Sequence, residues 1–362
     1  MKKAKYIKGF DGLRAISILL VIFAHLGLYS KIEHVVFFRD NWNLISGGAG
    51  VMIFFSISGF LITTLLLGEK RNFGRIDFRN FFIRRFLRLA PAILLLLITV
   101  LVLMLGHYLK QDFVAILFSF FYVYNFVPHK FYTGELGHTW SLGVEEQYYF
   151  IWPFVISYLS KIKYLIYFAL FVVFVCVAFK FISGYPIPYN GESYLLANYT
   201  YVDRWFIPAC LPIIIGSLSG LLLFDFETRL NKLFTKKYLF PLLAFFLFTS
   251  QIFMPFWWDN FSFLFMPIAV SMFLLWVYFN QDSKCVTILE FKPVRFIGKI
   301  SYGLYVYQGL FATTGPSGEL SIQHFPINII LTVLVAIISY YLIETPILNL
   351  KKKFAPRNIS NG

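Results

Sequence analysis

Residues 9–28, GFDGLRAISILLVIFAHLGL, place an arginine and a histidine within an apolar segment long enough to cross a membrane. Ten residues separate Arg14 from His25, and all of them except Ser17 are apolar. Because eleven helical steps are almost a whole number of turns, the two side chains share one helix face, about 16 Å apart along the axis. Ionisable groups at such depth usually face a protein interior and mark a functional site. The alternative is a snorkelling arginine and a hydrogen-bonded core histidine, but the spaced pair behind Asp11 favours function.

The composition is that of an integral membrane protein. Of the 362 residues, 59% are hydrophobic and only 14% are charged, which excludes a soluble domain. A net charge of +14 would suit a nucleic-acid-binding protein, but the positive residues lie in short loops between apolar runs, which is typical of the positive-inside pattern. The three cysteines have no close spacing, so neither a disulfide framework nor a metal site is indicated.

Ten apolar runs are long enough to cross a bilayer. They cover residues 10–29, 49–67, 89–107, 140–159, 164–182, 205–224, 238–255, 261–279, 298–314 and 326–348. Residues 113–127 form a shorter aromatic segment, which we interpret as an eleventh crossing, a re-entrant piece or an interfacial helix. The predicted fold class is therefore all-α, a polytopic membrane helix bundle of about ten transmembrane helices in a single domain over residues 1–362.

The distribution of positive charge predicts the orientation of the chain. If residues 113–127 do not cross, one side of the membrane holds 26 of the 32 Lys and Arg residues. This imbalance favours ten crossings and places both termini in the cytoplasm, with Arg14 near the cytoplasm and His25 toward the outer half. Glycines at positions 47, 48 and 50 open the second span and permit close helix approach. For Ser58 and Gly59, packing is the first interpretation and a role near a substrate the alternative.

A cluster of arginines precedes the third span in the stretch IRRFLRLAP, residues 83–91. In a helix, Arg84 and Arg88 lie four residues apart and Arg85 and Arg88 three apart, so one face carries at least two guanidinium groups. Planar guanidinium groups on one face suit phosphate binding. The alternative is a basic cluster that anchors the orientation of the chain and contacts anionic lipid.

The fourth span opens with GHTWSLGVEEQYYFIWPF, residues 137–154. Ser141, Glu145 and Tyr149 are spaced by four residues and stack along one helix face. Glu145 lies as far from the outer end of its span as His25 does from the outer end of its own, so a carboxylate at matching depth can orient the imidazole or activate an acceptor hydroxyl. The alternative for Glu145 is a structural hydrogen bond between helices. We interpret Glu146 as an interfacial charge.

Together these motifs resemble the acyltransferase 3 family of integral membrane acyltransferases. The resemblance runs almost from end to end, from FDGLRAISILLVIFAH to the ETP near the C-terminus. Four motifs in order carry it: the arginine, ten residues, histidine pattern at Arg14 and His25; SGFL at residues 58–61; the arginine, two residues, arginine pattern at Arg85 and Arg88; and SLGVEEQYY, with Ser141, Leu142, Glu145 and Tyr149.

The resemblance implies acyl-CoA, usually acetyl-CoA, as a co-substrate, no bound cofactor, and the hydroxyl of a glycan as acceptor. It implies that His25 is essential for acyl transfer, as a general base or as the group that takes the acyl unit itself. Many relatives carry a histidine where this chain has Gln308, which leaves that position without an expected role. Some relatives also carry an extracytoplasmic hydrolase-like domain. We expect no such domain after Lys353, so either the membrane domain completes the reaction alone or a separate extracytoplasmic protein does.

The sequence therefore predicts a multi-pass O-acetyltransferase of the bacterial inner membrane that acts on a surface polysaccharide, such as lipopolysaccharide O-antigen or a lipid-linked glycan. Besides the donor and the glycan, we expect membrane lipid but neither nucleic acid nor a metal as a partner. The predicted site residues are His25 and Glu145 for catalysis, Arg14, Arg85 and Arg88 for acyl-CoA binding, and Asp11, Ser141 and Tyr149 in support. The alternatives are succinyl or other acyl transfer to another glycan, peptidoglycan or a small molecule, a permease for a lipid-linked sugar, and a receptor without catalysis.

Overall fold

The computed structural model describes residues 6–26, 46–182, 199–235, 238–253, 259–312 and 321–354. These residues form helices and connecting turns, with no β-strand among them, so the all-α prediction is confirmed. The main helices are α1 Phe10–His25, α2 Gly47–Phe73, α3 Phe78–Leu105, α4 Phe113–Phe120, α5 Thr139–Tyr158, α6 Ile162–Ile182, α7 Leu211–Phe234, α8 Leu239–Phe253, α9 Asp259–Phe279, α10 Lys284–Leu289, α11 Lys292–Phe311 and α12 Ile327–Leu350.

Each of the ten predicted spans overlaps one of these helices. Five helices, α2, α3, α6, α7 and α12, are long and apolar enough to cross a membrane, and Phe263–Phe279 within α9 is a shorter apolar helix. The chain is therefore a membrane helix bundle. The number of crossings stays a prediction, as does the cytoplasmic position of both termini, because residues 1–5 and 355–362 lie outside the described residues.

The aromatic segment at residues 113–127 does not form a membrane-spanning helix. Its helix, α4, has eight residues and so rises only about 12 Å, less than half of a hydrocarbon core. The side chain of Asp112 caps its first turn by accepting a hydrogen bond from the backbone N–H of Ala115 at 3.3 Å. After α4 the chain turns into a short 3₁₀ helix, Tyr124–Phe126. This finding agrees with the prediction of ten crossings rather than eleven.

The chain divides into two compact units, each built from two separate parts of the sequence. The first unit comprises Met1–Thr64 and Lys161–Ser301, and the second comprises Leu65–Ser160 and Tyr302–Gly362. Two of the three boundaries between the units fall inside helices, α2 and α11, and the third lies between α5 and α6. The prediction of a single domain over residues 1–362 stays a prediction.

Glycines allow helices of the first unit to approach closely. A Cβ atom at Gly50 in α2 would lie 2.6 Å from the carbonyl oxygen of Ser17 in α1, and one at Gly47 would lie 3.4 Å from the ring of His25. The predicted close approach at the start of the second span is therefore confirmed for Gly47 and Gly50. Beside this contact, the rings of Phe10 and Phe60 lie 5.5 Å apart in the core of the unit.

Gly59 has the same role about two and a half turns further along α2. It packs directly against the backbone carbonyl of Ile213 in α7, while Gly216 in α7 packs against the carbonyl of Ser56. Each helix therefore supplies a glycine at the point where the other presents its backbone. The packing interpretation of Gly59 is confirmed.

We expect Gly59→Ala to lower the free energy of unfolding by about 1–3 kcal/mol, because its methyl group must displace the backbone of α7. Gly68→Ala is the matched control in the same helix, since no atom lies within 4 Å of a Cβ at that position. The control should be neutral or slightly stabilising, because alanine favours a helix. Thermal unfolding of both variants in detergent measures the difference, and equal midpoints would contradict the close α2–α7 contact.

Two cysteines come together in the first unit although 34 positions separate them in sequence. The Sγ atoms of Cys176 in α6 and Cys210 next to α7 lie 3.7 Å apart, and both side chains are buried. We expect a membrane-permeable oxidant such as copper phenanthroline to join these two thiols and to leave Cys285 in α10 unjoined. Peptide mapping by mass spectrometry without reduction identifies the pair, and a cross-link that includes Cys285 would contradict the α6–α7 packing.

Candidate active site

Arg14 is held in place by an ion pair one turn away on the same helix. Its Nη1 donates to Oδ1 of Asp11 at 3.0 Å, and both side chains are largely buried. The hydroxyl of Tyr6 lies 3.2 Å from Oδ2 of Asp11 and 2.9 Å from Oε1 of Glu290. Burial, together with the hydrogen bond to Glu290, raises the pKa of Tyr6 well above its usual value, so it stays a neutral donor. Asp11 thus pairs with Arg14, and its supporting role in a site stays a prediction.

Glu290 also fixes the start of α1. Its Oε1 accepts a hydrogen bond of 2.7 Å from the backbone N–H of Gly9, and its Oε2 lies 3.4 Å from Arg295. Gly9 has a left-handed φ of 91°, which a residue with a side chain adopts only with strain. The helix that carries Arg14 and His25 therefore begins at a defined position.

His25 is the last residue of α1, and its ring is oriented by its own helix. Nδ1 lies 2.8 Å from the carbonyl oxygen of Val21. Because a carbonyl only accepts hydrogen bonds, Nδ1 carries the proton and Nε2 of the neutral ring carries the lone pair. Gly47 packs against the ring from α2. An imidazole in this tautomer can act at Nε2 as a general base or as a nucleophile.

The three arginines at the start of α3 have different environments. Arg84 is buried, donates to Oε2 of Glu69 at 3.1 Å, and donates to the carbonyl oxygen of Phe354 at 2.7 Å. Glu69 in turn accepts from the backbone N–H of Asp77 at 2.8 Å. Arg84 is thus a structural residue that fixes the start of α3. Arg85 and Arg88, three residues apart, are the pair that can bind a phosphate.

Arg85 stacks on an aromatic ring instead of pairing with a carboxylate. Its guanidinium carbon lies 4.5 Å from the centre of the Tyr149 ring and 5.7 Å from that of Phe81. The hydroxyl of Tyr149 donates to Oε1 of Glu145, so Glu145, Tyr149 and Arg85 form one connected group. The predicted stacking of Glu145 and Tyr149 on one face of α5 is confirmed. Within the described part of the chain, Arg88 makes no ion pair with a carboxylate.

A cavity of about 430 Å³ lies beside Arg85 in the second unit. Two polar side chains, Glu146 and Gln147, line it together with Arg85. The aromatic residues of its wall are Phe82, Phe86, Phe121, Tyr122, Tyr149 and Phe150. Oε1 of Glu146 is buried and has no hydrogen-bond partner among the described residues. The interpretation of Glu146 as an interfacial charge stays a prediction.

Ser141 has a packing role in the same unit. Its Oγ lies 2.5 Å from the hydroxyl of Tyr305 in α11 and 3.2 Å from the carbonyl oxygen of His138. The Tyr305 hydroxyl lies 3.0 Å from that same carbonyl. Ser141 therefore joins α5 to α11, four residues before Glu145.

The structure brings the predicted site residues together in two groups. Asp11, Arg14 and His25 lie on α1 in the first unit, whereas the others lie in the second. The predicted pairing of His25 with Glu145 stays a prediction, because the two residues belong to different units. In the parts of the chain that the structure covers, no three or more His, Cys, Asp or Glu residues are grouped so that they can hold a metal ion.

The sequence prediction assigned no site role to four polar residues of these groups: Tyr6, Glu290, Glu146 and Tyr305. Glu290 contacts residues more than 280 positions away, and Tyr305 contacts Ser141 across 164 positions, so no local pattern reveals them. Glu146 did have a signal, since it is the second of two adjacent glutamates in an apolar span.

Comparison with known proteins identifies the family. The family model Acyl_transf_3, described as an acyltransferase domain, matches residues 7–344. The chain belongs to this acyltransferase family. It is 29% identical to the O-acetyltransferase OatA of Staphylococcus aureus, over 96% of this chain and 58% of that protein. It is 28% identical to YrhL of Bacillus subtilis, provisionally named a peptidoglycan O-acetyltransferase, over 95% of this chain and 55% of that protein. The chain thus spans a little over half the length of these relatives, and no solved structure matches it.

We expect Arg84→Met to lower the free energy of unfolding by about 3–5 kcal/mol, because it leaves Glu69 buried without its cation. Arg88→Met, one turn along α3, removes no ion pair with a described carboxylate and should change stability by less than about 1 kcal/mol. Thermal unfolding of the purified proteins compares the two. Similar losses in both variants would contradict the division between structural and ligand-binding arginines.

Proposed function

We propose that the chain is an O-acetyltransferase of the bacterial cytoplasmic membrane, which moves an acetyl group from acetyl-CoA to a hydroxyl of a cell-envelope polysaccharide. The observation that carries the proposal is the position of His25, whose Nδ1 is held by the Val21 carbonyl so that Nε2 carries the lone pair. Membership of the acyltransferase family supports it, as do relatives named O-acetyltransferases.

The proposed chemistry uses His25 as a general base. Nε2 takes the proton of the acceptor hydroxyl while the hydroxyl oxygen forms a bond to the thioester carbonyl carbon. The carbon–sulfur bond then breaks, and the imidazolium returns the proton to the sulfur, so the products are an acetyl ester and CoA with a free thiol. The Val21 carbonyl stabilises the N–H of the imidazolium while it exists. The alternative is attack by Nε2 on the thioester carbonyl carbon, which breaks the carbon–sulfur bond, releases CoA as its thiolate and leaves an acetylated imidazole ring. The acceptor hydroxyl oxygen then attacks the acetyl carbon, the carbon–nitrogen bond breaks, and the hydroxyl proton passes to the thiolate.

The arginines are proposed to bind the donor. CoA is an anionic nucleotide with a long arm, and guanidinium groups are well suited to its phosphates. Arg85 and Arg88 remain for this role because Arg84 is committed to Glu69. We assign Arg14 the same role at α1. Glu145, whose carboxylate is oriented by the Tyr149 hydroxyl, is proposed to hydrogen-bond the acceptor hydroxyl.

The acceptor is proposed to be a polysaccharide of the cell envelope. Lipopolysaccharide O-antigen is the acceptor that the sequence resemblance favours, whereas the name of the Bacillus relative points to peptidoglycan. Both present hydroxyl groups outside the cytoplasmic membrane, and the chemistry at His25 is the same for either. Analysis of each glycan for added mass also distinguishes acetyl from succinyl transfer.

We expect cells that lack the protein to lose O-acetyl groups from one envelope glycan, and wild type to restore them. His25→Ala at equal protein level should restore less than about 1% of the wild-type acetylation, because removing a general base that acts in the transition state costs about two to four orders of magnitude in rate. The measurement is NMR and mass spectrometry of purified O-antigen and of peptidoglycan fragments.

His324→Ala is the matched control, since this side chain is exposed and lies in the short turn before α12. It should restore acetylation fully. Full restoration by His25→Ala would overturn the role of His25. An unchanged content of acyl esters in both glycans after deletion would overturn the acceptor class.

A further inference from the structure

We propose that Arg85 and Glu146 together bind the phosphopantetheine arm of the acyl donor, with the guanidinium on its phosphate and Oε1 of Glu146 accepting a hydrogen bond from an N–H or O–H of the arm. This inference rests on the proposed function, because it takes a CoA thioester as the donor. It assigns a ligand contact to Glu146 and divides the donor into a part that this cavity recognises and a part that it does not.

The first observation is the carboxyl group of Glu146. Its Oε1 is buried, faces no hydrogen-bond donor among the described residues, and belongs to a residue that lines the 430 Å³ cavity. A buried acceptor without a partner is costly, so such a position in a cavity indicates that a ligand supplies the donor. The neighbouring Gln147 differs, because its amide donates to the Tyr122 carbonyl at 2.9 Å and to Oδ1 of Asn125 at 2.8 Å.

The second observation is the way in which Arg85 is held. The Tyr149 ring supports one face of the guanidinium, at 4.5 Å. Stacking occupies a face of the planar group, whereas its N–H groups point outward in the plane. A guanidinium supported in this way can bind a phosphate without first releasing a carboxylate.

The combination of groups selects one class of ligand. Phosphopantetheine has one phosphate, a hydroxyl and two amide N–H groups along an otherwise apolar chain. The cavity offers one guanidinium, one unpaired carboxyl oxygen and a wall of aromatic rings. Glu146 lines the same cavity as Arg85, and Glu145 is held by the tyrosine on which Arg85 stacks. Two carboxyl groups beside a single guanidinium disfavour a ligand with several phosphates, so the adenosine bisphosphate end of CoA is expected to bind elsewhere.

The test uses the full chain, purified in detergent, and three probes: CoA, 4′-phosphopantetheine and adenosine 3′,5′-bisphosphate. Calorimetric titration should show that wild type binds CoA and 4′-phosphopantetheine. Glu146→Gln should weaken the binding of both about ten-fold, since it exchanges one carboxyl oxygen for an amide NH₂ group, which cannot accept a hydrogen bond from the arm. Any affinity for adenosine 3′,5′-bisphosphate should stay within two-fold of wild type.

Asp282→Asn is the matched control, because it removes an equal charge from a side chain that is 95% exposed. It should leave all three affinities unchanged. If Glu146→Gln proves unstable in thermal unfolding, Glu146→Asp is the second variant, because it keeps the carboxyl group. Glu146→Asp should retain more affinity for 4′-phosphopantetheine than Glu146→Ala does.

The outcomes separate this inference from the proposed function. Two results would overturn the inference alone. One is a Glu146→Gln variant that binds 4′-phosphopantetheine as tightly as wild type does, and the other is a variant that loses as much affinity for adenosine 3′,5′-bisphosphate as for 4′-phosphopantetheine. Failure of the wild-type protein to bind CoA would overturn both the inference and the choice of acetyl-CoA as donor. In that case the acetylation measured in cells would still show whether the chain is an O-acetyltransferase.

Discussion

The internal arrangement of each unit depends on one constraint, the free-energy cost of placing charge among apolar helices. An ionised group away from water needs a partner of opposite charge or several hydrogen bonds. Arg14 pairs with Asp11, about one helical turn away on the same helix, and Arg84 pairs with Glu69 on the preceding helix. The second pair fixes the start of α3, which carries Arg85 and Arg88, and the first lies on the same helix as His25. Structural ion pairs and candidate functional groups are therefore neighbours on the same helices.

Aromatic residues provide a second way to hold a cation. Arg85 is supported by the ring of Tyr149 and, at 5.7 Å, by that of Phe81. A carboxylate partner would compete with an anionic ligand for the guanidinium, whereas a ring attracts the cation without neutralising it. The tyrosine hydroxyl then holds Glu145, so one side chain positions both a cation and a carboxylate. These contacts give a physical reason for the spacing of four residues between Ser141, Glu145 and Tyr149 on α5. The serine joins α5 to α11, and the tyrosine contacts both the glutamate and Arg85.

The helices and the residue pairs within one helix were predictable from the sequence, because periodicity within one helix is a local property. Apolar runs located the helices, and the spacing of Asp11 and Arg14 or of Glu145 and Tyr149 placed each pair on one face. Contacts between distant parts of the chain were not predictable. Arg84, Arg85 and Arg88 look alike in sequence, and only the positions of Glu69, Phe354 and Tyr149 distinguish the structural arginine from the other two. The burial of Oε1 of Glu146 was not predictable for the same reason, because it depends on neighbouring segments.

The position of His25 at the end of α1 bears on its suitability as a base. A general base must become a cation for a moment, and an apolar environment opposes that change. Two features of α1 favour the cation. The Val21 carbonyl accepts a hydrogen bond from Nδ1–H in either charge state of the ring, and the C-terminal end of a helix favours a positive charge. Both effects arise from backbone dipoles, which are already oriented before the reaction and need not rearrange during it. A histidine in the middle of α1 would have the hydrogen bond to a backbone carbonyl but not the favourable end of the helix. This difference gives a physical reason for a separation of about three helical turns between Arg14 and His25.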